Sequence, residues 1–302
     1  MAPPRIPLPC LGRSHDLLPA GLRPINFRVV RTLDEFVAAA NLTYREYVVR
    51  RYMTSTSSQL KLSIYHALPQ TTTFIAWHRS AGVIGTIALI EDSPLGLPMD
   101  DAYKAELDIM RRQGLRLAEA SMLTLDSRLF STGTFSMTHT KKLLLLMRLF
   151  KVLFDYVRAT PTQELVACFH PKHQLLFEFL GLAPLGGLKA YAGANGTPAL
   201  ARHLNLETAE RQAMGHPAYR FFFGRKSSAR AFARKLVLSS DDLRRLFVLD
   251  SGIFASASPS ELAYLMSCYP TYNFSKIVEG ALPASSMAPL GPHTTPDTGR
   301  SA

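Results

Sequence analysis

The chain has 302 residues, 47% of them hydrophobic, and its 34 lysines and arginines outnumber 23 acidic residues to leave a formal net charge of +11. So much apolar material builds a buried core and excludes a largely disordered chain. The positive surplus points to an anionic partner: nucleic acid, a membrane surface, a phosphorylated cofactor or an acidic carrier protein.

Cys10, Cys168 and Cys268 lie far apart and outside any metal-ligand spacing, which indicates a reducing, cytoplasmic setting with no disulfide framework. Residues 1–22 are proline-rich, lack the apolar core of a signal peptide and read as a disordered arm. Residues 25–30 form an opening strand. Thr32 is placed to cap a helix over 33–50, with Glu35 at the capping-box position. The β-branched and aromatic runs 73–78 and 83–89, separated by Ser80-Ala81-Gly82, predict an antiparallel hairpin.

After the Gly96-Leu97-Pro98 turn, a helix over 100–112 has Ala102, Leu107 and Met110 for its buried side and Gly114 as its stop. A strand over 117–125 follows, with Glu119 in its middle. The helix over 140–158 sets Arg148, Lys151, Asp155 and Arg158 on one stripe, and its other faces are apolar. Those charges interrupt its apolar run, so it does not read as a membrane span. A short apolar strand at 165–169, a helix at 173–180 ended by Gly181, and a hairpin of 188–191 with 199–204 complete a mixed α/β domain over 23–206. Adjacent antiparallel strands exclude a purely parallel doubly wound sheet.

Beyond Leu206 the texture is helical: 228–238, 241–249 and 259–266, the last opened by the capping box Ser258-Pro259-Ser260-Glu261. Residues 207–281 therefore read as a C-terminal helical appendage, and 282–302 as a disordered tail rich in Pro, Ser, Thr and Gly.

A carboxylate inside a strand is costly unless it is paired or used, so Glu119 is either a catalytic acid/base or a structural partner of Arg116 or Lys172. His170 and His173 stand at a strand end, where a histidine exchanges protons near neutral pH. Pro171 fixes a turn there, and capping of the next helix is the structural alternative for His173. No third ligand stands at a metal spacing. The cluster Arg220, Arg225, Lys226, Arg230, Arg234 and Lys235 is the densest positive region, with Arg230 and Arg234 sharing a helical face. No nucleic-acid signature accompanies it. Leu143 to Leu146 would line an acyl tunnel or pack the core.

Gly85-Thr86, Gly96-Leu97-Pro98-Met99-Asp100, Glu106-Leu107, Arg111-Arg112-Gln113-Gly114, Leu117-Ala118-Glu119-Ala120-Ser121, Cys168-Phe169-His170-Pro171-Lys172-His173 and Phe179-Leu180-Gly181-Leu182 together resemble the FeeM-type N-acyl amino acid synthases. These are GNAT-fold relatives of the acyl-homoserine-lactone synthases, and the resemblance covers most of residues 25–206. It implies a mainly antiparallel GNAT-like sheet flanked by helices. It also implies transfer of a fatty acyl group from the phosphopantetheine of acyl carrier protein to the α-amine of an amino acid, tyrosine being one known acceptor, with no permanently bound cofactor.

On the resemblance, Glu119 and His170 are the catalytic candidates. Tyr44, Tyr47, Ser121, Leu123 and His173 are the substrate-binding ones, and Arg128, Lys141 and Lys142 would meet the donor phosphate. The pattern is broken at Leu176-Phe177, where the family offers an aromatic pair ending in tyrosine, and at Arg51, where it has glycine. The coenzyme A loop is weakly matched by residues 128–133. The competing expectations are a catalytically silent sensing or interaction protein and a CoA-dependent N-acetyltransferase.

Overall fold

The computed structural model describes residues 25–130 and 139–279. The expected N-terminal arm and C-terminal tail, Cys10, and the second half of the 128–133 loop lie outside the described residues.

Strand β1 (Ile25–Val29) leads into helix α1 (Leu33–Val49), and the hairpin β2 (Thr72–His78) and β3 (Gly82–Glu91) follows. The Thr32 hydroxyl caps α1 by accepting from the Glu35 N–H. Glu35 does not close the reciprocal half of a capping box. Its carboxylate takes the Arg31 N–H at 3.0 Å and a bidentate pair with Arg28 at 2.7 and 2.8 Å, tying the helix start to β1.

Helix α2 (Asp100–Arg112), strand β4 (Leu117–Leu125), helix α3 (His139–Val157) and strand β5 (Glu164–Phe169) come next, all at the expected places. A 3-10 turn, Pro171–His173, precedes helix α4 (Gln174–Phe179). Strands β6 (Ala183–Pro184), β7 (Lys189–Tyr191) and β8 (Thr197–Asn205) close the sheet. The order is β1-β2-β3-β4-β5-β8-β6, with β7 pairing β8. Every pairing among the described strands is antiparallel except β4 with β5. This is the mixed, mainly antiparallel GNAT-like sheet.

Side-chain alternation along the strands divides the interior into two faces. On β2, Phe74 and Ala76 pack with α3, whereas Ile75 between them packs with α1. Gly85 lets α3 come close, because a Cβ there would lie 2.6 Å from Leu125 Cδ2 and 3.0 Å from Leu149 Cδ1.

The C-terminal region departs most from expectation. Helix α5 (Ala209–Gln212) and a π-helical turn, Arg220–Gly224, pack Ala209, Ala218 and Phe222 against the α3 face. No helix forms over 228–238, where only a 3-10 turn at Ala229–Ala231 is present before the chain extends. The extended segment runs beside β1, with the Leu236 N–H donating to Val30 O at 2.9 Å and Arg31 donating to Arg230 O at 2.5 Å. Backbone contacts to the sheet edge replace helical ones there, so Arg230 and Arg234 share no helix face.

Helices α6 (Ser240–Leu243), α7 (Ile253–Ser256), α8 (Pro259–Cys268) and α9 (Phe274–Val278) then cover the α1 face, packing Leu243, Phe247, Phe254 and Leu265 against Phe36, Ala39 and Ile75. The expected helix over 241–249 continues from α6 as a π-helical stretch, Arg244–Asp250. The Ser258–Glu261 capping box forms as predicted. The appendage is thus built into both cores, wrapping the β1 edge.

Candidate active site

The site begins at the Gly96 turn. Gly96 takes φ +71, and a Cβ on it would fall 2.3 Å from Asp100 Oδ2, so only glycine leaves room for that carboxylate to accept the Leu97 N–H at 2.7 Å. Arg111 ties this corner together, reaching Asp92 and Asp100 at 2.7 Å and Asp108 at 2.9 Å. The clamp fixes the start of α2 and aims the Met99 N–H at Glu119 Oε2, 2.9 Å away.

Glu119 is 1% exposed and has neither of the partners considered from sequence. Arg116 donates to the Pro161 carbonyl, and Lys172 donates to Tyr52 Oη at 3.0 Å. Burial raises the Glu119 pKa to about 7, opposed by the Met99 N–H and the Ser121 hydroxyl and assisted by Asp100. Its charge in turn contributes to raising the pKa of Tyr47, Cys168 and Tyr191, chiefly lifted by their own burial.

β4 pairs with β5 only at Leu117, Ala118 and Glu119, and the strands then part. The ladder to β3 also breaks here: Ser121 faces Ala88 and Thr124 faces Thr86, leaving Met122 and Leu123 in a bulge with Met122 at φ +56. A cleft enclosing about 1130 Å³ of empty space and open to solvent occupies the parting. Its walls come from both faces of the sheet. α1 and its end give Glu46, Tyr47, Arg50 and Tyr52; β4 gives Ala120 and Met122 to Leu125; β5 gives Cys168 and Phe169; α3 and α4 give Lys142, Leu146, Leu176 and Phe177.

The expected residues separate into three groups. Tyr47, Leu123, Lys142, His170 and His173 line the cleft, and Glu119 with Ser121 stands just behind its wall. Tyr44 is buried within α1, its hydroxyl 3.4 Å from the Thr56 carbonyl, and is no part of the lining. Arg128 and Lys141 are also absent from it; Arg128 pairs with Asp126 at 2.6 Å, an acid that Arg45 also meets. Of the leucine run, Leu146 alone reaches the cleft, while Leu144 and Leu145 pack the core.

His173 stands at the N-cap position of α4 but makes no side-chain cap bond. His170 caps the preceding 3-10 turn instead, its Nδ1 accepting the Lys172 N–H at 3.2 Å, and its ring stacks on Tyr52 at 6.3 Å. His173 sits at the cleft rim, where partial burial and then Lys172, His170, Lys142 and Arg50 lower its pKa to about 4, so the ring is neutral near pH 7.

Phe177, the departure from tyrosine, stacks face to face on Phe169 at 3.8 Å and makes that wall apolar. Phenols reach the cleft elsewhere, from Tyr47, Tyr52 and Tyr191. Arg51 adopts φ +61, the left-handed conformation glycine would take without strain.

Three lining groups carry no sequence signal strong enough to find them. Glu46 is 3% exposed, accepts the Ser127 N–H at 2.8 Å and pairs with Arg50, setting that guanidinium at the cleft wall. Tyr191 arrives from β7, its hydroxyl donating to Pro98 O at 3.3 Å. The Cys168 thiol, its pKa raised by burial, enters from β5. No group of three metal-ligating side chains occurs among the described residues.

Fold and cleft define an acyltransferase of GNAT-like architecture. The sequence model of the FeeM N-acyl amino acid synthases matches residues 38–205, more than half of the chain. The chain belongs to that family. The solved structure of FeeM, an N-acyl amino acid synthase from uncultured soil microbes, is similar at 26% identity and a TM-score of 0.55, over 65% of this chain and 98% of that one. The acyl-homoserine-lactone synthase LasI gives 13% identity and a TM-score of 0.46 over 68% of this chain and 97% of its own. The CoA-dependent acyl-homoserine lactone synthase MesI gives 11% and 0.43 over 69% and 99%. No curated protein sequence matches.

Proposed function

We propose that this acyltransferase moves a fatty acyl group from the phosphopantetheine thioester of acyl carrier protein to the α-amine of an amino acid. The observation that carries the reading is the cleft at the β4–β5 parting, with a buried carboxylate poised near pH 7 immediately behind it. A thioester laid along β4 brings its carbonyl to the bulge, where main-chain donors meet negative charge as it develops on the oxygen.

The amine nitrogen attacks the carbonyl carbon and forms the new C–N bond. The tetrahedral oxyanion then collapses, the C–S bond breaks, and the sulfur leaves with its electron pair and takes up a proton. Glu119, behind Tyr47, Cys168 and Tyr191, accepts the proton lost by the amine through a relay across that wall. Arg50, held by Glu46, is the counter-charge for the acceptor's carboxylate. Lys142 at the opposite wall takes the donor phosphate role first shared with Arg128 and Lys141, because Arg128 is committed to Asp126. His170 keeps only Nε2 for proton work and chiefly orients Tyr52.

The net charge of +11 supports an acidic carrier as the donor's bearer. The test incubates purified protein with acyl carrier thioesters, or separately with acyl-CoA, and an amino acid pool, and reads the products by mass spectrometry. N-acyl amino acids from the carrier donor are the expected result. Product from acyl-CoA alone would overturn the donor assignment, and no product from either would overturn the reaction.

A further inference from the structure

The segment from Arg220 to Lys235 carries six cations and no acid, and the acyl transfer uses none of them. It follows position 205, where the family match ends. Its aromatic residues hold it to α3: Phe222 packs edge-on against Phe150 and Phe154 at 6.2 and 6.0 Å, Phe223 meets Phe154 at 5.4 Å, and Phe232 meets Tyr156 at 5.6 Å. The Ser227 N–H on Asp155 and the Leu236 N–H on Val30 O pin the backbone as well.

With those rings packed against the core, Arg220, Arg225, Lys226, Arg230 and Arg234 are left exposed, while Lys235 turns to the carbonyls of Pro69 and Gln70. Arg220, Lys226, Arg230 and Arg234 make no ion pair among the described residues. The acids that touch this region are engaged: Asp155 is buried on Lys151, and Glu210 holds Arg158 at 3.0 Å and the Tyr219 hydroxyl at 3.2 Å. Helix α3 adds two more cations, Arg148 over the Phe221 ring at 5.3 Å and Arg158 over Phe223 at 5.1 Å. The result is a surface of one sign on a fixed backbone.

We infer that this segment docks the protein on an anionic lipid bilayer, its cations meeting the phosphate headgroups. A cluster of this size is what an anionic leaflet attracts, and the planar guanidinium fork matches phosphate oxygens. A nucleic acid fits less well. The phenylalanines are committed to the core and offer no stacking platform, and no helix forms over 228–238 to enter a groove. The large aliphatic side chains that flank the segment in sequence, Met214 and Val237, are 67% and 68% exposed, which suits a bilayer interface. An acyl carrier that delivers its arm past Lys142 sits elsewhere, because about 20 Å of helical rise separates Lys142 from Asp155 on α3. The choice of occupant rests on the proposed reaction, whose product joins an aliphatic tail to a carboxylate and partitions into lipid.

The experiment sediments the full chain, without substrate, with vesicles of phosphatidylcholine alone or mixed with phosphatidylglycerol. The wild type should bind the mixed vesicles, leave them as salt is raised and ignore phosphatidylcholine. Each cation at an anionic surface strengthens binding about 5-fold, so Lys226→Gln, Arg230→Gln and Arg234→Gln together should weaken it about 100-fold. Lys226→Gln alone, at about 5-fold, serves if the triple variant does not fold. Lys104→Gln, Arg112→Gln and Arg245→Gln together remove the same net charge from other exposed positions and should keep most of the affinity. Equal losses in the two triple variants, a wild type that ignores both vesicles, or tighter binding to duplex DNA or acyl carrier protein than to the mixed vesicles would overturn the inference. Vesicle binding without product in the transfer assay would overturn the proposed reaction and leave the docking surface standing.

Discussion

Glu119 ionises against its surroundings, and that has consequences for rate and for stability with opposite signs. Its folded pKa of about 7 lies above the ordinary glutamate value of 4.5, so the unfolded chain loses the proton first as pH rises. Stability is therefore lost between those two values and the deficit is complete above about 7. Glu119→Gln keeps an acceptor for the Met99 N–H and removes the buried charge, so denaturant unfolding at pH 8 should show a gain of up to about 3 kcal/mol. The same variant should cut turnover by about 100-fold or more and lack the rise of kcat/KM through pH 7 expected of the wild type. Unaltered rates would remove Glu119 from the mechanism. Arg51 offers a cleaner backbone case. Its φ of +61 strains any side chain with a Cβ, and Arg51→Gly should raise thermal stability by up to about 1 kcal/mol, read as a higher unfolding midpoint.

Elements were legible in the sequence wherever a local signal determined them. The bounds of β4 and α2 agree with their sequence expectation, because a largely apolar run between turn residues, and Gly96 and Gly114 as punctuation, act within a few residues. The region over 228–238 has comparable helical composition and forms no helix. Its backbone groups find better partners at the β1 edge, a choice that depends on a strand two hundred residues earlier. The β4 bulge was equally hidden. Met122 carries no propensity for a positive φ, and the conformation follows from how β3 and the departing β5 leave the middle of β4 without regular pairing.

At the scale of the molecule, the C-terminal region clamps the sheet on both faces, and one buried ion pair locks it in place. Lys151 and Asp155 on α3 are 7% and 3% exposed in their side chains, and Asp155 Oδ2 also accepts the Ser227 N–H at 2.7 Å. Removing the acid strands a buried ammonium and an amide together. Asp155→Ala should therefore destabilise the protein by about 3–5 kcal/mol, measured as a lower urea midpoint, with the 209–238 segment becoming the first site of limited proteolysis. An unshifted midpoint would show that the wrap is held by its apolar contacts alone.

The sequence by itself determined the strand and helix order, the turn glycines, the burial of Glu119 as a question needing an answer, and the family through an ordered string of motifs. Those features are written in short-range periodicity and backbone preference. Only the tertiary structure decided that Glu119 has no cationic partner among the described residues, that Arg128 is taken by Asp126, that Tyr191 and Glu46 meet at one cleft, and that the appendage belongs to both cores. Each of these depends on which distant side chain arrives first within hydrogen-bonding reach, and distance in space is not encoded in any single stretch of chain.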